Sequence, residues 1–197
     1  YLRAERSAYD MVVVNLPDPD TLLLNRYFTV GFYQLLHRWL EPGGIVCVRT
    51  TASENFIGTE LARIGASVYQ TLSQSFAHLA IKPGDESWII ASDSGSIAQD
   101  PKALRARFAA IPAAKEIFPP AGILSLYPRD RAEFQLQGYM ESIEESPDWA
   151  LVNTAEHPKA LLHALMTTWR KEGAGPQLIS GILLFARYGF VWICCLL

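Results

Sequence analysis

The feature that most constrains the fold of this chain is the stretch YDMVVVNLPDPD at positions 9–20, where a short apolar run ends in a proline turn with two carboxylates. Met11–Val14 is too short for a helix and rich in β-branched residues, which predicts a strand buried on both faces, as central parallel strands are. In open α/β sheets, ligands bind beyond the carboxyl ends of the strands. The residues that follow this strand are therefore the first candidates for a functional site.

The next segment predicts a helix and a second strand. Thr29 is a plausible N-cap for a helix running to about Leu40, because apolar residues recur there at three- and four-residue steps. Glu41-Pro-Gly-Gly44 is expected to end this helix, since proline cannot continue it and glycine adopts the left-handed conformation freely. Ile45–Val48 reads as a strand. Strand, helix and strand together predict a right-handed βαβ unit.

Later patterns predict further elements around this unit. Glu54–Ala66 suggests a helix, and Val68–Leu72 and Trp88–Ser92 suggest an antiparallel pair of strands at the sheet edge. Asp100–Ile111 is predicted to be a short helix. Pro158–Lys171 is predicted to be another, with its proline in the first turn, where a missing N–H does no harm.

Charge and cysteine content exclude several classes of protein. The net charge is -3, with 17 basic and 20 acidic residues spread without long runs, so a nucleic-acid partner is not expected. The three cysteines, Cys47, Cys194 and Cys195, have neither disulfide-framework nor zinc-site spacing, which indicates buried thiols in a reducing compartment. The four histidines show no metal-ligand or triad pattern, so no metal site is predicted and a structural role is expected for each.

The C-terminal stretch Leu178–Leu197 is almost wholly apolar, with a single charge at Arg187. About 20 such residues can span a bilayer, whereas a central arginine costs roughly 2.5–3.5 kcal/mol on insertion scales. Two interpretations stay open: a transmembrane or re-entrant segment, and a buried C-terminal helix. The chain begins with tyrosine, and no signal segment precedes the first strand, so we expect an internal piece of a longer protein.

Two residues of the strand-end turn are candidates for ligand contact. Asp18 could be present simply because Asp-Pro sequences favour turns. Alternatively, its carboxylate could hold a cationic amine by a charge-assisted hydrogen bond. Asn15 is best placed to meet a ligand at the strand tip. Its amide can orient a group but cannot remove a proton.

At these residues the sequence resembles a known family. YDMVVVNLPDPD, LNRYFTVGFYQLLHRWLEPGG and IVCVRT resemble the fourth strand, the following helix and the fifth strand of the spermidine synthase (polyamine aminopropyltransferase) family. The closest likeness is to its membrane-fused bacterial branch. VNTAEHPKALLHALMTTW resembles the Asn-Thr-Asp then proline stretch of that branch, with Ala155 in place of an aspartate.

The resemblance implies an α/β fold, namely the C-terminal half of a class I methyltransferase-like Rossmann sheet, followed by a mostly helical extension. The expected organisation is four consecutive parts: a half-domain over 1–92, its helical and loop extension over 93–172, a linker over 173–177, and a hydrophobic segment over 178–197 that is a candidate membrane span. The domain would then be membrane-anchored and cytoplasmic. Soluble relatives of the family are commonly dimers, so a homodimer is a further expectation.

The resemblance also implies residue roles. The family's strand-end aspartate, taken as the base that deprotonates the attacking amine, falls on Asn15, and a second aspartate that helps bind the diamine falls on Asp18. Leu16 and Pro17 replace small polar residues beside the cosubstrate. The cosubstrate would be decarboxylated S-adenosylmethionine or S-adenosylmethionine, bound by the full-length protein and not by this piece alone, because the nucleoside-binding elements would lie upstream.

Three functions follow as hypotheses. The leading one is an aminopropyltransferase-like domain acting on a polyamine or another amine, with transfer impaired or replaced because Asn15 stands at the base position. The second is a non-catalytic domain that senses a nucleoside or polyamine and is attached to a membrane segment. The third is an S-adenosylmethionine-dependent methyltransferase on the same fold.

Overall fold

The structure, a computed structural model, describes residues 8–53, 58–146, 151–171 and 173 of the 197-residue chain. The described strands form one sheet, in the order β1-β2-β4-β3. They are Tyr9–Val14 (β1), Leu40–Thr51 (β2), His78–Lys82 (β3) and Glu86–Ser92 (β4). β1 and β2 are parallel, while β4 is antiparallel to both β2 and β3.

The described helices fall into two groups. Those that pack against the sheet or against the helices next to it are Leu22–Asn25 (α1), Val30–His37 (α2), Thr59–Ser73 (α3), Arg129–Glu144 (α7) and Lys159–Lys171 (α8). Those of the extension are Pro101–Ala110 (α4), Ala114–Ile117 (α5) and Ile123–Leu126 (α6), and short 3-10 turns occupy Arg26–Phe28 and Pro120–Gly122. The four-stranded mixed sheet with its helices confirms the predicted α/β class.

The predicted βαβ unit is present, with one correction at its middle. The Thr29 hydroxyl caps α2 by accepting a hydrogen bond from the Phe32 N–H at 3.3 Å, but α2 ends at His37 and not near Leu40. Leu40 already pairs with Tyr9 of β1, so the chain enters the sheet there. Glu41–Gly44 is therefore a bulge inside β2, with Gly43 at φ 81°, and is not the helix terminator that we predicted.

Val68–Leu72, predicted as a strand, lies in the last turns of α3, and that prediction is wrong. Residues 64–68 are buried in succession, so the helix is covered on more than one side; its buried residues are Ala62, Ile64, Gly65, Ala66, Ser67, Val68, Thr71 and Leu72. This burial outweighs the weak β preference of its valine. The antiparallel partner of β4 is instead His78–Lys82, whereas the prediction of a strand over Trp88–Ser92 is confirmed.

β1 is buried on one face only, which corrects the prediction of a strand buried on both. Met11 and Val13 are 54% and 52% exposed, while Val14 is 5% exposed and belongs to the core. Alternate strand residues point to opposite faces, and β1 is an edge strand of the described sheet. A continuous apolar run therefore does not prove burial on two sides.

Tyr139 of α7 anchors the packing of α7 against α3. Its side chain is fully buried, and a Cβ added to Gly65 of α3 would lie 2.2 Å from its ring carbon Cζ. Only glycine leaves room for the ring at this crossing, because real Cβ atoms do not approach other atoms so closely.

Asn153 joins three separate parts of the packed side. Its Nδ2 donates to the Phe28 carbonyl at 2.9 Å and its Oδ1 accepts from the Ala160 N–H at 3.1 Å. Its backbone N–H donates to the Thr71 hydroxyl at 3.0 Å, and its carbonyl accepts from the Val30 N–H at 3.0 Å. Every polar group of this fully buried residue therefore has a partner.

The two helices predicted over Asp100–Ile111 and Pro158–Lys171 are present, with small shifts of their ends. Asp100 caps α4 through its Oδ2, which accepts from the Ala103 N–H at 2.9 Å, and α8 begins at Lys159, one residue after Pro158. The apolar segment 178–197 lies outside the described residues, so its membrane role stays a prediction. Within the described ranges, none of the helices has the length and apolar character needed to cross a bilayer.

Candidate functional site

The four predicted site residues lie together at the carboxyl end of β1. Asn15 and Pro17 are exposed, whereas Leu16 and Asp18 are partly buried. Leu16 packs against the hydrophobic core and holds the backbone of the turn to the sheet. The turn therefore presents an amide and a carboxylate at the strand tip, with an apolar side chain fixing it from below.

Asp18 is tied to the end of the neighbouring strand. Its Oδ1 accepts a hydrogen bond from the Thr51 N–H, with an N–O distance of 3.0 Å, and Thr51 is the last residue of β2. Because β1 and β2 are parallel, their carboxyl ends meet at the same edge of the sheet. The contact fixes the carboxylate there, and among the described residues Oδ2 has no hydrogen-bond partner.

Arg49 links the same turn to β4. Its Nε donates to the Leu16 carbonyl at 3.3 Å, and its Nη1 lies 2.9 Å from Oε1 of Glu86. The arginine side chain is 24% exposed and the glutamate side chain 66% exposed. A guanidinium group therefore lies at the strand tip beside the acidic turn, and its ion pair is open to solvent.

A buried hydroxyl lies close to the acidic turn. The Tyr139 hydroxyl accepts from the Gln135 Nε2 at 2.7 Å inside the packed side of the sheet. Burial raises the pKa of Tyr139, the hydrogen bond with Gln135 lowers it, and the negative charge of Asp18 raises it by the smallest contribution. Tyr139 therefore stays neutral at physiological pH.

The tip of β1 carries an exposed amide at Asn15 and the anchored carboxylate of Asp18. A carboxylate such as Asp18 can accept charge-assisted hydrogen bonds from an ammonium group. The Asn15 amide can orient a ligand, but it cannot take a proton. Fold and site together define an α/β domain with a carboxylate and an amide beyond the ends of its parallel strands, the usual position of ligand sites in such sheets.

Comparison with known proteins supports a particular family. The chain is 44% identical over 50 residues to polyamine aminopropyltransferase 1 of Streptomyces coelicolor, which is 25% of this chain and 9% of that protein. It is 31% identical over 97 residues to polyamine aminopropyltransferase 2 of Pseudomonas aeruginosa, which is 47% of this chain and 28% of that protein. The chain thus spans less than a third of either relative, and these partial matches support the spermidine synthase (polyamine aminopropyltransferase) family.

Among solved structures, a probable spermidine synthase from Corynebacterium glutamicum aligns with a TM-score of 0.37 and 17% sequence identity, over 59% of this chain and 48% of that chain. No protein-family model matches the chain. The support for the family therefore comes from the sequence matches.

The second region of resemblance, at positions 152–169, has a structural role in its first residues. Asn153 is the buried hub described above, and the Thr154 hydroxyl accepts from the His157 N–H at 3.0 Å. Ala155 is exposed in the turn before α8. The hydrogen bonds of Asn153 hold separate elements of the packed side against one another.

The histidines lie away from the candidate site. His37, at the end of α2, forms a hydrogen bond with Asp93 after β4, with 2.6 Å between Nε2 and Oδ2. This pair lies at the opposite end of β2 from Asp18, beside His78. His163 is buried on α8. Among the described residues, no group of three or more His, Cys, Asp or Glu side chains has a metal-binding arrangement.

Sequence reasoning missed Arg49 and Thr51 as parts of the site. Thr51 acts through its backbone N–H, which no side-chain pattern reveals. Arg49 did carry a signal, because it is the single charge in the otherwise apolar and hydroxyl-bearing strand IVCVRTT. A charge that interrupts a central strand near its carboxyl end marks a residue with a partner at the site.

Proposed function

We propose that this chain provides the acceptor-amine part of an aminopropyltransferase-like domain, in which Asp18 binds an ammonium group of the acceptor. The observation that carries the proposal is the fixed carboxylate at the tip of two parallel strands, held 3.0 Å from the Thr51 N–H. The partial matches to polyamine aminopropyltransferases support the same class of substrate.

The proposed reaction is transfer of an aminopropyl group from decarboxylated S-adenosylmethionine to the acceptor. The amine nitrogen forms a bond to the aminopropyl carbon, the carbon–sulfur bond of the sulfonium breaks, and the amine loses a proton. An alkylamine has a pKa near 10.4 by comparison with lysine, so it needs a base at neutral pH. Asn15 cannot serve as that base, so we propose that transfer is impaired.

Impaired transfer leaves a binding function as the second candidate. A domain that binds a nucleoside or polyamine without turnover could act as a sensor, and the observation favouring it is the amide at Asn15 beside an intact, anchored Asp18. In either case we propose that residues beyond this chain complete the nucleoside site.

Restoring a carboxylate at Asn15 separates the two candidates. In the full-length protein that carries this sequence, Asn15→Asp is expected to raise aminopropyl transfer from decarboxylated S-adenosylmethionine to 1,4-diaminobutane by about 10²–10⁴-fold, the usual contribution of a general base. Asn15→Ser, which is also small and polar but not basic, is the matched control and should not give this increase.

Product analysis decides between the outcomes. Aminopropylated product that rises with Asn15→Asp supports the transferase, and its loss in Asn15→Asp combined with Asp18→Asn assigns acceptor binding to Asp18. Binding of 1,4-diaminobutane without product from any variant supports the sensor. Methylated product with S-adenosylmethionine would overturn the aminopropyltransferase proposal in favour of a methyltransferase.

A further inference from the structure

The charges at the strand tip are of both signs. Asp18 is fixed by the Thr51 N–H, and Arg49 lies two residues earlier on the same strand. The α-carbons of residues two apart on a strand are separated by about 6–7 Å. The Arg49 Nε also donates to the Leu16 carbonyl of the turn that carries Asp18, at 3.3 Å. An anionic and a cationic group therefore flank one short stretch of the sheet edge.

Arg49 has donors to spare for a ligand. A guanidinium carries five N–H groups, and only two of them are used, by the Leu16 carbonyl and by Glu86. Within the described part of the chain, the other three make no hydrogen bond. The Nε contact to Leu16 fixes the direction of the group, so the remaining donors are held in a planar arrangement that fits a carboxylate.

The ion pair with Glu86 is weak enough to be replaced. Glu86 is 66% exposed at the start of β4, and exposed ion pairs contribute little because water and salt screen them. A ligand carboxylate held at the other end by Asp18 would compete with Glu86 at a high effective concentration.

We propose that the ligand at this strand tip is an amine that also carries a carboxylate, with its ammonium group on Asp18 and its carboxylate on Arg49. This inference rests on the amine site of the proposed function and narrows the class of ligand that the site binds. A diamine would place its second ammonium group against the guanidinium, and the repulsion between like charges disfavours that complex. Arg49 is then the residue that sets specificity.

The test compares two ligands of equal chain length, 1,4-diaminobutane and 4-aminobutanoate, by calorimetric titration of the full chain. We expect 4-aminobutanoate to bind more tightly. Arg49→Gln should weaken the binding of 4-aminobutanoate by about tenfold or more, as expected for loss of a charge-assisted pair. It should leave the affinity for 1,4-diaminobutane unchanged or higher. Arg38→Gln is the matched control, because Arg38 is an exposed arginine just before β2, at the opposite end of that strand from Arg49.

A second variant tests the ligand site without changing the hydrogen bond between Arg49 and the Leu16 carbonyl. Glu86→Gln leaves that hydrogen bond in place and removes the carboxylate that competes for Arg49. We expect it to tighten the binding of 4-aminobutanoate by up to about fivefold and to leave the affinity for 1,4-diaminobutane within about twofold of its starting value.

The outcomes separate this inference from the proposed function. Binding of 1,4-diaminobutane that depends on Asp18, with no preference for 4-aminobutanoate, would overturn the inference and leave the amine site intact. Equal weakening of both ligands by Arg49→Gln would also overturn it, since Arg49 would then only secure the turn. If neither ligand binds, the amine site itself is wrong.

Discussion

The two faces of the sheet differ in how completely the described residues cover them. On one face Val46 and Val48 of β2 are fully buried beneath the helices. On the other face Met11 and Val13 of β1 are more than half exposed, and Cys47 is only partly buried. The comparison teaches that one strand sequence can meet two environments, because its alternate residues belong to different faces.

The candidate site lies where the two faces meet. Thr50, inside the packed side, is buried, while its neighbours Arg49 and Thr51 hold the acidic turn from the open side. The packed side gives the strand ends their positions, and the open side supplies the polar groups that a ligand could reach. Stability and ligand binding should therefore respond to different substitutions.

The largest expected effect is at Asn153, the hub of the packed side. Asn153→Ala removes the partners of the buried Phe28 carbonyl and Ala160 N–H, and each buried group left without a partner costs about 1–3 kcal/mol. We expect the free energy of unfolding to fall by about 3 kcal/mol, measured by urea denaturation. Asn15→Ala, which replaces an asparagine at the exposed strand tip, should change the free energy of unfolding by less than about 0.5 kcal/mol. Equal effects would refute the distinction between the two regions.

A glycine pair tests the helix packing on the same side. Gly65→Ala forces a Cβ against the Tyr139 ring, and we expect a loss of about 2–3 kcal/mol, in the range for overpacking. Gly138→Ala on α7 is the control, because a Cβ there meets nothing within 4 Å, and it should stabilise the chain by about 0.5–1 kcal/mol. Thermal or urea unfolding of both variants measures the difference; a neutral Gly65→Ala would contradict the packing.

Two valines compare the sheet faces directly. Val48→Ala empties space in the core and should cost about 2–3 kcal/mol. Val13→Ala, on the exposed face of β1, should cost about 0.5 kcal/mol or less. The pair is measured in the same denaturation experiment. A large loss of stability in Val13→Ala would show that this face of β1 is covered in solution.

The smallest effect concerns the pH dependence at the end of β2 that lies away from the site. The hydrogen bond from His37 lowers the pKa of Asp93, with smaller contributions from the Ala77 N–H and from the charges of His37 and His78. A carboxyl group whose pKa is lower in the folded state stabilises the fold above its unfolded pKa of about 3.9 and loses that contribution as the pH falls through the folded value.

Because both side chains are exposed, the contribution of Asp93 is small. We expect Asp93→Asn to cost about 0.5 kcal/mol at pH 6 and nothing measurable near pH 2, with unfolding free energies measured at both values. Greater destabilisation at the lower pH would have the wrong sign for this pair.

The sequence was a good guide where periodicity and capping determine structure. Thr29 caps α2 as predicted, and the βαβ unit and the helices predicted near Asp100 and Pro158 are present. It failed at Val68–Leu72, since a short segment with two β-branched residues, Val68 and Thr71, looks like a strand when the long-range packing of the helix is not visible. The sequence also led to the wrong role for Glu41–Gly44, because a bulge in a parallel pair of strands depends on the register of β2 with β1.

The site was predictable only in part. Asn15 and Asp18 were found because a turn after an apolar strand is a common ligand position. Their fixed geometry depends on a backbone N–H and on Arg49, both contributed by a strand more than 30 positions away in the sequence. Contacts of that kind follow from the fold and not from local pattern.

The most direct test of the account follows the backbone amide of Thr51, which donates to Asp18, by ¹H–¹⁵N NMR during titration with 1,4-diaminobutane or 4-aminobutanoate. If Asp18 binds the ammonium group, the Thr51 resonance shifts and saturates with whichever ligand binds, and Asp18→Asn abolishes both the shift and the binding. A Thr51 resonance that stays fixed while other amides respond to ligand, or unchanged binding by Asp18→Asn, would contradict the central claim that this strand tip is an amine site.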